Sequence, residues 1–339
     1  MEAMKKYRAV VLGAGKIGVL WGMDSGRPQP ASHAAAFAAN SRTELVGIVD
    51  SDPAQREKAG DFYKISVYED ARECIVATKP DIIAIATPPS THESLLALAF
   101  ELGISAVICE KPVSDSLESA HRMMIASRKT DAIVIVNHQR RFFPLFQDLR
   151  ARIEAGELGR IQQVTAYYGN GLLNNGSHTV DALQFLLDDT VEWAIGIENK
   201  LNVAAPFGTN IDGLLGFTKG TTVAIQSLDN DSWGAHDFVI MGTTSAAIIR
   251  QYGFRLELVP VKEGVTFADM RELDWANAKT TLDQRSMLTG TVDHLVECLD
   301  GTAVPRSTLE DGYRTMKVIN ALIQSAAESG KMIRVEYSN

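Results

Sequence analysis

The residues best suited to chemistry in this chain are a glycine triad, an acid, a lysine and a histidine. The stretch Ala9–Gly18 reads A-V-V-L-G-A-G-K-I-G, so Gly13, Ala14, Gly15, Lys16, Ile17 and Gly18 spell G-x-G-x-x-G directly behind an apolar run. The first glycine permits a tight turn off a strand. The second removes a Cβ where a pyrophosphate approaches the backbone, and the third lets the following helix lie close to the strand. Phosphates then meet free N–H groups at the start of that helix. A glycine turn that binds nothing is the plain alternative; the position at the N-terminus, straight after a strand-like run, favours dinucleotide binding. Asp50 closes the next apolar run, Leu45–Val49, where a carboxylate accepts both ribose hydroxyls of an adenosine. It lies further along than the usual gap of about 20 residues, and Gly22–Pro30 reads as an inserted loop that holds the excess. A carboxylate repels a 2′-phosphate, so NAD is expected over NADP.

A carbinol that gives up hydride must also lose its hydroxyl proton, which calls for a base titrating near neutral pH. His178 fits by type, with an intrinsic pKa of about 6.5; it follows a polar loop at the start of a helix. The structural alternative is a helix-start histidine. Lys111 is the second candidate. Beside a cofactor its pKa falls and it can act on a proton, or, charged, it polarises a developing carbonyl. The alternative is a surface lysine paired with Glu110, which is otherwise expected at the cofactor. Thr87-Pro88-Pro89 forms a rigid turn at the end of the strand Ile82–Ala86 that walls a nicotinamide, with His92 either stacking nearby or capping a helix. Asn174, Asn175 and Tyr168 are expected to bind substrate, with Tyr167, Trp233 and His236 weaker candidates. His33, His121, His138 and His294 show no ligand spacing, so no metal is expected.

Positioning these groups takes two domains, the prior for 339 residues. Strands alternate with helices up to Val136, the sign of a doubly wound parallel sheet. Arg140–Arg152 reads as a helix entering the second half. There Ile161–Tyr168, Trp193–Glu198, Gly213–Phe217, Thr221–Leu228, Phe238–Met241, Ala247–Arg250 and Leu256–Val261 read as strands, Thr281–Leu299 and Leu309–Ser329 as helices, and Ile333–Tyr337 as a closing strand. Gly169–Gly176 reads as a loop. With 33 Lys and Arg against 42 Asp and Glu the net charge is −9, which argues against a nucleic-acid partner. No apolar run approaches a membrane span. The three scattered cysteines, Cys74, Cys109 and Cys298, suit a reducing compartment. With strand one beginning too early for a signal peptide, the cytoplasm is expected.

Further motifs extend the pattern: Val49-Asp50, A-T-P-P-S-T-H at Ala86–His92, E-K-P at Glu110–Pro112, N-H-Q-R-R-F-F-P at Asn137–Pro144 and G-S-H-x-x-D at Gly176–Asp181. In this order they resemble the family of glucose–fructose oxidoreductase, inositol dehydrogenase and rhizopine-catabolism oxidoreductases, over nearly the whole chain. The resemblance implies an N-terminal Rossmann doubly wound parallel sheet, residues 1–139, that binds NAD. It implies a C-terminal α/β domain with an open, mostly antiparallel sheet, residues 140–339, for substrate binding and oligomerisation. It implies hydride transfer to or from a carbinol carbon of a sugar, cyclitol or sugar nucleotide, with Lys111 and His178 on the reacting hydroxyl and His178 the main base. Homodimers or homotetramers joined through the C-terminal sheet are implied as well. Many members carry Asp where this chain has Asn174, and an amide neither holds a negative charge nor takes a proton. Asn174 and Asn175 are therefore expected to bind a hydroxyl or an N-acetyl group. The alternatives are an NAD-using glycosidase with transient redox and a cofactor-sensing regulator without catalysis.

Overall fold

The computed structural model describes residues 5–201, 208–265, 267 and 269–337. It divides into two compact units: Met1–Phe142 with Arg285–Tyr313, and Phe143–Gln284 with Arg314–Asn339. The single crossing expected between residues 139 and 140 does not provide for the return of 285–313 to the first unit.

In the first unit, strands β1 (Tyr7–Leu12), β2 (Thr43–Val49), β3 (Val67–Tyr68), β4 (Ile82–Ile85), β5 (Ala106–Cys109) and β6 (Ile133–Val136) form one sheet in the order β3-β2-β1-β4-β5-β6. Every pair is parallel. Helices α1 (His33–Ala39), α2 (Pro53–Tyr63), α3 (Ala71–Thr78), α4 (His92–Glu101) and α5 (Leu117–Ser127) fill the crossovers. Sheets covered on both faces need continuous apolar strands. Ile82, Ile83, Ala84 and Ile85 accordingly show no exposure at all. The reversal of strand order lies between β1 and β4, so the loops after these strands, Gly13–Gly18 and Thr87–Thr91, flank the crevice where such sheets bind ligands.

The segment after Gly18 departs from a continuous helix. Val19 N–H returns to Gly15 O at 2.9 Å and Trp21 N–H to Lys16 O at 2.9 Å, closing one turn. A 3₁₀ turn over Leu20–Met23 and a loop follow. The helical ladder then resumes across the gap: His33 N–H donates to Ile17 O at 2.9 Å and Ala34 N–H to Gly18 O at 3.0 Å. The inserted residues are thus looped out of one helix, and Ser32 caps the resumed part by accepting from Ala35 N–H at 3.2 Å.

Farther along, Pro144 sits at the start of α6 (Pro144–Glu154) with Phe143 extended before it, so the helix expected from Arg140 is a separate 3₁₀ turn, Gln139–Phe142, and then α6. Proline lacks the N–H that would continue the first turn into the second. The strands of the second unit are β7 (Ile161–Tyr168), β8 (Val191–Glu198), β9 (Ile211–Phe217), β10 (Thr222–Ser227), β11 (Phe238–Gly242), β12 (Ser245–Arg250), β13 (Arg255–Glu263), β14 (Arg271–Leu273), β15 (Lys279–Leu282) and β16 (Ile333–Arg334). Their sheet runs β14-β13-β12-β11-β7-β10-β9-β8-β16, with β15 paired to β13. Among the described residues β7–β10 is the parallel pair and the rest are antiparallel. Helix α7 (Ser177–Leu187) belongs to the same unit.

The helix expected over Thr281–Leu299 is shorter, α8 (Met287–Leu299), capped by Ser286; Thr281 lies in β15 opposite Leu256. Helix α8 lends Leu288, Val292, Leu295 and Val296 to a core with Tyr7, Val11, Phe37 and Ile48. Each such side chain contributes about 1.5–3 kcal/mol, which is why residues 285–313 group with the first unit. The division between units falls again inside α9 (Leu309–Ala327).

Candidate active site

The glycine loop explains two of its glycines internally and leaves one for a ligand. Gly13 has φ +102°, and a Cβ there would lie 2.6 Å from Ala86 O. A Cβ on Gly18 would lie 1.9 Å from Gly13 O. Gly15 is different: a Cβ there would meet no atom of the chain within 4 Å. Gly15 thus borders open space, as a backbone that a pyrophosphate approaches would. Above it, the N–H groups of Gly15, Lys16, Ile17 and Gly18 meet no acceptor among the described residues, as expected of a first helical turn ready for an anion. The residues present therefore fit a dinucleotide pyrophosphate. Lys16 is exposed and Ile17 half-buried.

Asp50 stands at the end of β2, half-buried. Its Oδ2 accepts from Ala14 N–H at 2.6 Å and its Oδ1 from Asp52 N–H at 2.9 Å. These bonds hold the carboxylate against the glycine loop, and each oxygen retains a second lone-pair site for a ribose hydroxyl.

Thr87 and Pro89 are half-buried and Pro88 is exposed on the loop after β4. His92 departs from both roles expected of it. It is fully buried, with Nε2 2.9 Å from Thr87 O and Nδ1 3.0 Å from Val113 O. It neither caps α4 nor presents a ring face to a ligand; it ties the Thr87 loop to the loop after Pro112. Burial pushes its pKa down against the pull of those carbonyls.

Glu110, expected at the cofactor, is also turned inward. Its Oε1 accepts from His33 Nε2 at 2.8 Å and Asn137 Nδ2 at 2.6 Å, while Oε2 accepts from the Lys111 N–H at 3.2 Å. Asn137 Oδ1 accepts in turn from the Thr291 hydroxyl at 3.1 Å. Burial raises the Glu110 pKa, but the bonds from His33 and Asn137 and the nearby positive charges outweigh it, leaving the carboxyl below its ordinary range. Lys111 follows, partly buried, on a cis peptide to Pro112. Burial drives its pKa down; the Glu110 charge pushes back and Arg140 adds to the fall, leaving the amine at about 8. Sequence reading missed His33 and Asn137. A lone histidine behind a serine carries no local sign of a partner 77 positions away.

In the second unit, residues read as a loop form a π-helical turn, Leu172–Gly176, that runs into α7. Gly176 N–H donates to Gly171 O at 3.2 Å, the wide i→i+5 bond. Asn170 and Gly171, at φ +62° and +86°, make the left-handed bend that starts it. Such turns occur often at functional sites. Asn174 and Asn175 ride on this turn, and their carbonyls accept from the hydroxyls of Ser177 at 2.6 Å and Thr179 at 3.1 Å. His178 lies in the first turn of α7, 9% exposed. Its ring stands 6.3 Å from that of buried His236, whose Nε2 is 3.0 Å from the Thr179 hydroxyl. Because that hydroxyl spends its proton on Asn175 O, His236 is the donor in the pair.

Tyr168 is a correction. Its side chain shows no exposure, and its hydroxyl both donates to Ile211 O at 2.7 Å and accepts from Ile211 N–H at 2.9 Å. The residue clamps β7 to β9 and has no surface for substrate. Among the described residues no cluster of His, Cys, Asp or Glu is arranged to hold a metal, and no helix is long and apolar enough to cross a membrane.

Comparison with known proteins agrees with this architecture. Residues 7–138 match the oxidoreductase family with an NAD-binding Rossmann fold, and residues 150–335 match the C-terminal α/β domain of the same oxidoreductase family. The chain is 28% identical to D-glucoside 3-dehydrogenase of Escherichia coli over 46% of its own length, a match spanning half of that enzyme. It is 24% identical to D-apiose dehydrogenase of Paraburkholderia graminis over 88% of this chain and 84% of that one. An oxidoreductase from Agrobacterium radiobacter, solved with NAD+, L-tartaric acid and magnesium, superposes with TM-score 0.77 over 98% of this chain and 99% of that one at 20% identity. With both halves matched, the chain belongs to the glucose–fructose oxidoreductase/inositol dehydrogenase/rhizopine-catabolism (Gfo/Idh/MocA) family of oxidoreductases, and its first half is that family's NAD-binding Rossmann domain.

Proposed function

We propose that the protein is an NAD-dependent dehydrogenase acting on a secondary hydroxyl of a sugar, cyclitol or sugar nucleotide. The observation that carries this reading is the half-buried Lys111 amine at about 8, on the Rossmann unit whose Gly15 is left open for a ligand. The names of the glucoside and apiose dehydrogenases support the substrate class.

In this reading the N–H groups of Gly15–Gly18 hold the pyrophosphate. Asp50 accepts the ribose hydroxyls and excludes a 2′-phosphate, and Thr87, Pro88 and Pro89 wall the ring. Bound there, the nicotinamide is the acceptor or donor of hydride. In the oxidation direction a ring nitrogen of His178 takes the hydroxyl proton as the C–H bond breaks and the C=O bond forms. The Lys111 ammonium donates to the same oxygen throughout. An ammonium near 8 is a stronger donor than an ordinary lysine at 10.5 and supports the developing negative charge better. The side-chain amides of Asn174 and Asn175 bind neighbouring hydroxyls. His92 and Glu110 act behind these groups, by fixing the loops that carry Thr87 and Lys111.

Val265, Phe267, Met270, Trp275 and Leu282, each more than half exposed within residues 265–282, support a homo-oligomer joined through the second sheet. The free, buried cysteines Cys74, Cys109 and Cys298 support a cytoplasmic setting. The test is a screen of cyclitols, aldoses and nucleotide sugars with NAD, following NADH absorbance and analysing products. A ketone formed with stoichiometric NADH is the expected result. A released aglycone without net NADH, or no turnover across the screen, overturns the reading.

A further inference from the structure

The buried polar chain behind Lys111 contains a side chain whose position has no purpose in packing alone. His33 is fully buried at the first position of α1. Its Nδ1 meets no partner among the described residues, so its whole polar contribution is the 2.8 Å bond from Nε2 to Glu110 Oε1. Burying an imidazole with one nitrogen unmatched costs about 1–3 kcal/mol, and an apolar residue would avoid that cost. Glu110 uses its other oxygen on the Lys111 N–H, at 3.2 Å. The path from His33 to Lys111 is therefore one side-chain hydrogen bond and one carboxylate long.

We propose that His33 is a positioning residue for Lys111: its hydrogen bond fixes the Glu110 carboxylate that grips the Lys111 peptide and keeps a negative charge beside the amine. This rests on the reading of Lys111 as a group on the reacting hydroxyl. The charged and titratable groups facing this carboxylate are His33, Lys111, His92 and Cys109; Arg140 faces the amine. The uncharged partner is Asn137. Of these, His33 alone is brought in by the glycine loop. Its own N–H is bonded to Ile17 O and that of the next residue to Gly18 O, so the helix that delivers it is the one the phosphate turn begins. The looped-out residues between Val19 and Ser32 leave this register intact.

The sign follows from the charges. Glu110 raises the Lys111 pKa, opposing burial. Without the His33 donor the buried carboxylate is less stable as an anion and is held only by Asn137 and the Lys111 N–H, so the Lys111 pKa falls. Glu110→Gln removes the charge outright and sets the limit, expected at about one unit or more below the parent value for loss of a close opposite charge. His33→Leu should produce at least half of that fall. His33→Gln, whose amide nitrogen reaches as far as Nε2, should restore most of it.

The experiment is competitive acetylation of the whole protein across pH, with Lys111 read by peptide mass spectrometry, so the measurement does not depend on knowing the substrate. His33→Asn, a polar side chain too short to reach Glu110, is a second donor-loss variant should the leucine fail to fold, and it should behave as His33→Leu does. A Lys111 pKa that stays within about 0.3 units of the parent in the donor-loss variants while Glu110→Gln lowers it, or one that Glu110→Gln does not lower, overturns the proposal. If the pKa moves as expected and no sugar is turned over, it is the dehydrogenase reading that fails.

Discussion

Lys111 makes the most demanding prediction, because its charge at working pH follows from its surroundings. An unshifted lysine at 10.5 keeps about 90% of its protons at pH 9.5. With the pKa at about 8, Lys111 keeps only about 3% of its protons at that pH. If the ammonium must donate to the reacting oxygen, kcat/KM for oxidation falls about 30-fold between the plateau and pH 9.5, with an apparent pKa near 8. Arginine does not deprotonate in this range, so Lys111→Arg should lose that alkaline limb whatever its absolute rate. Lys111→Met should lower kcat/KM by about 10²–10³-fold, or about 2.7–4 kcal/mol of transition-state stabilisation, while leaving NADH affinity within about threefold. The assay is initial NADH formation from pH 6 to 10 at saturating NAD and low substrate, with NADH binding followed by fluorescence. An alkaline limb near 8 that persists in Lys111→Arg would refute the assignment, as would a parent profile flat to pH 10.

Other outcomes follow from the same geometry. Lys111 binds fewer protons folded than unfolded between about pH 8 and 10.5, so its folded-state penalty is full below 8 and fades as pH rises; Lys111→Met should raise the Tm at pH 7 and lose that advantage above pH 10, by thermal scans. Gly15→Ala should fold with a parental Tm yet lose NADH affinity tenfold or more, on the order of 1.4 kcal/mol, whereas Gly18→Ala, forcing a Cβ onto Gly13 O at 1.9 Å, should fail to reach the native fold by circular dichroism. Asp50→Ala should bring NADP affinity up to or above that of NAD in competitive titrations. Tyr168→Phe, which strands the Ile211 N–H and C=O, should cost about 1–3 kcal/mol in denaturant unfolding and leave KM unchanged.

Much of the first unit was legible because parallel strands buried on both faces must be continuous apolar runs. Ile82–Ile85 and Ala106–Cys109 therefore announce themselves, and each ends where a loop of the candidate site begins. The glycine loop was legible too, since Gly18 is fixed by its contact with Gly13 O in the same loop and Gly13 by its own positive φ. Elements of the second unit whose pattern is weak were not: β15 carries four exposed residues, and its last two, Thr281 and Leu282, were read as the start of the helix behind it. The π-turn at Leu172–Gly176 differs from a loop only by an i→i+5 bond that no composition encodes.

The division of labour among polar side chains is where tertiary structure had the last word. Residue type marked Lys111, His178 and Asp50 as capable of chemistry, because protonation and charge belong to the side chain itself. The same reasoning set Tyr168, His92 and Glu110 beside them, and all three turned inward. Sequence supplies a donor or an acceptor; only the folded chain says whether water, a ligand or another buried group satisfies it. Burial makes an unmet hydrogen bond costly, so the interior claims such groups first, and His33 and Asn137 became partners of Glu110, and Thr291 of Asn137, across separations that no local pattern spans.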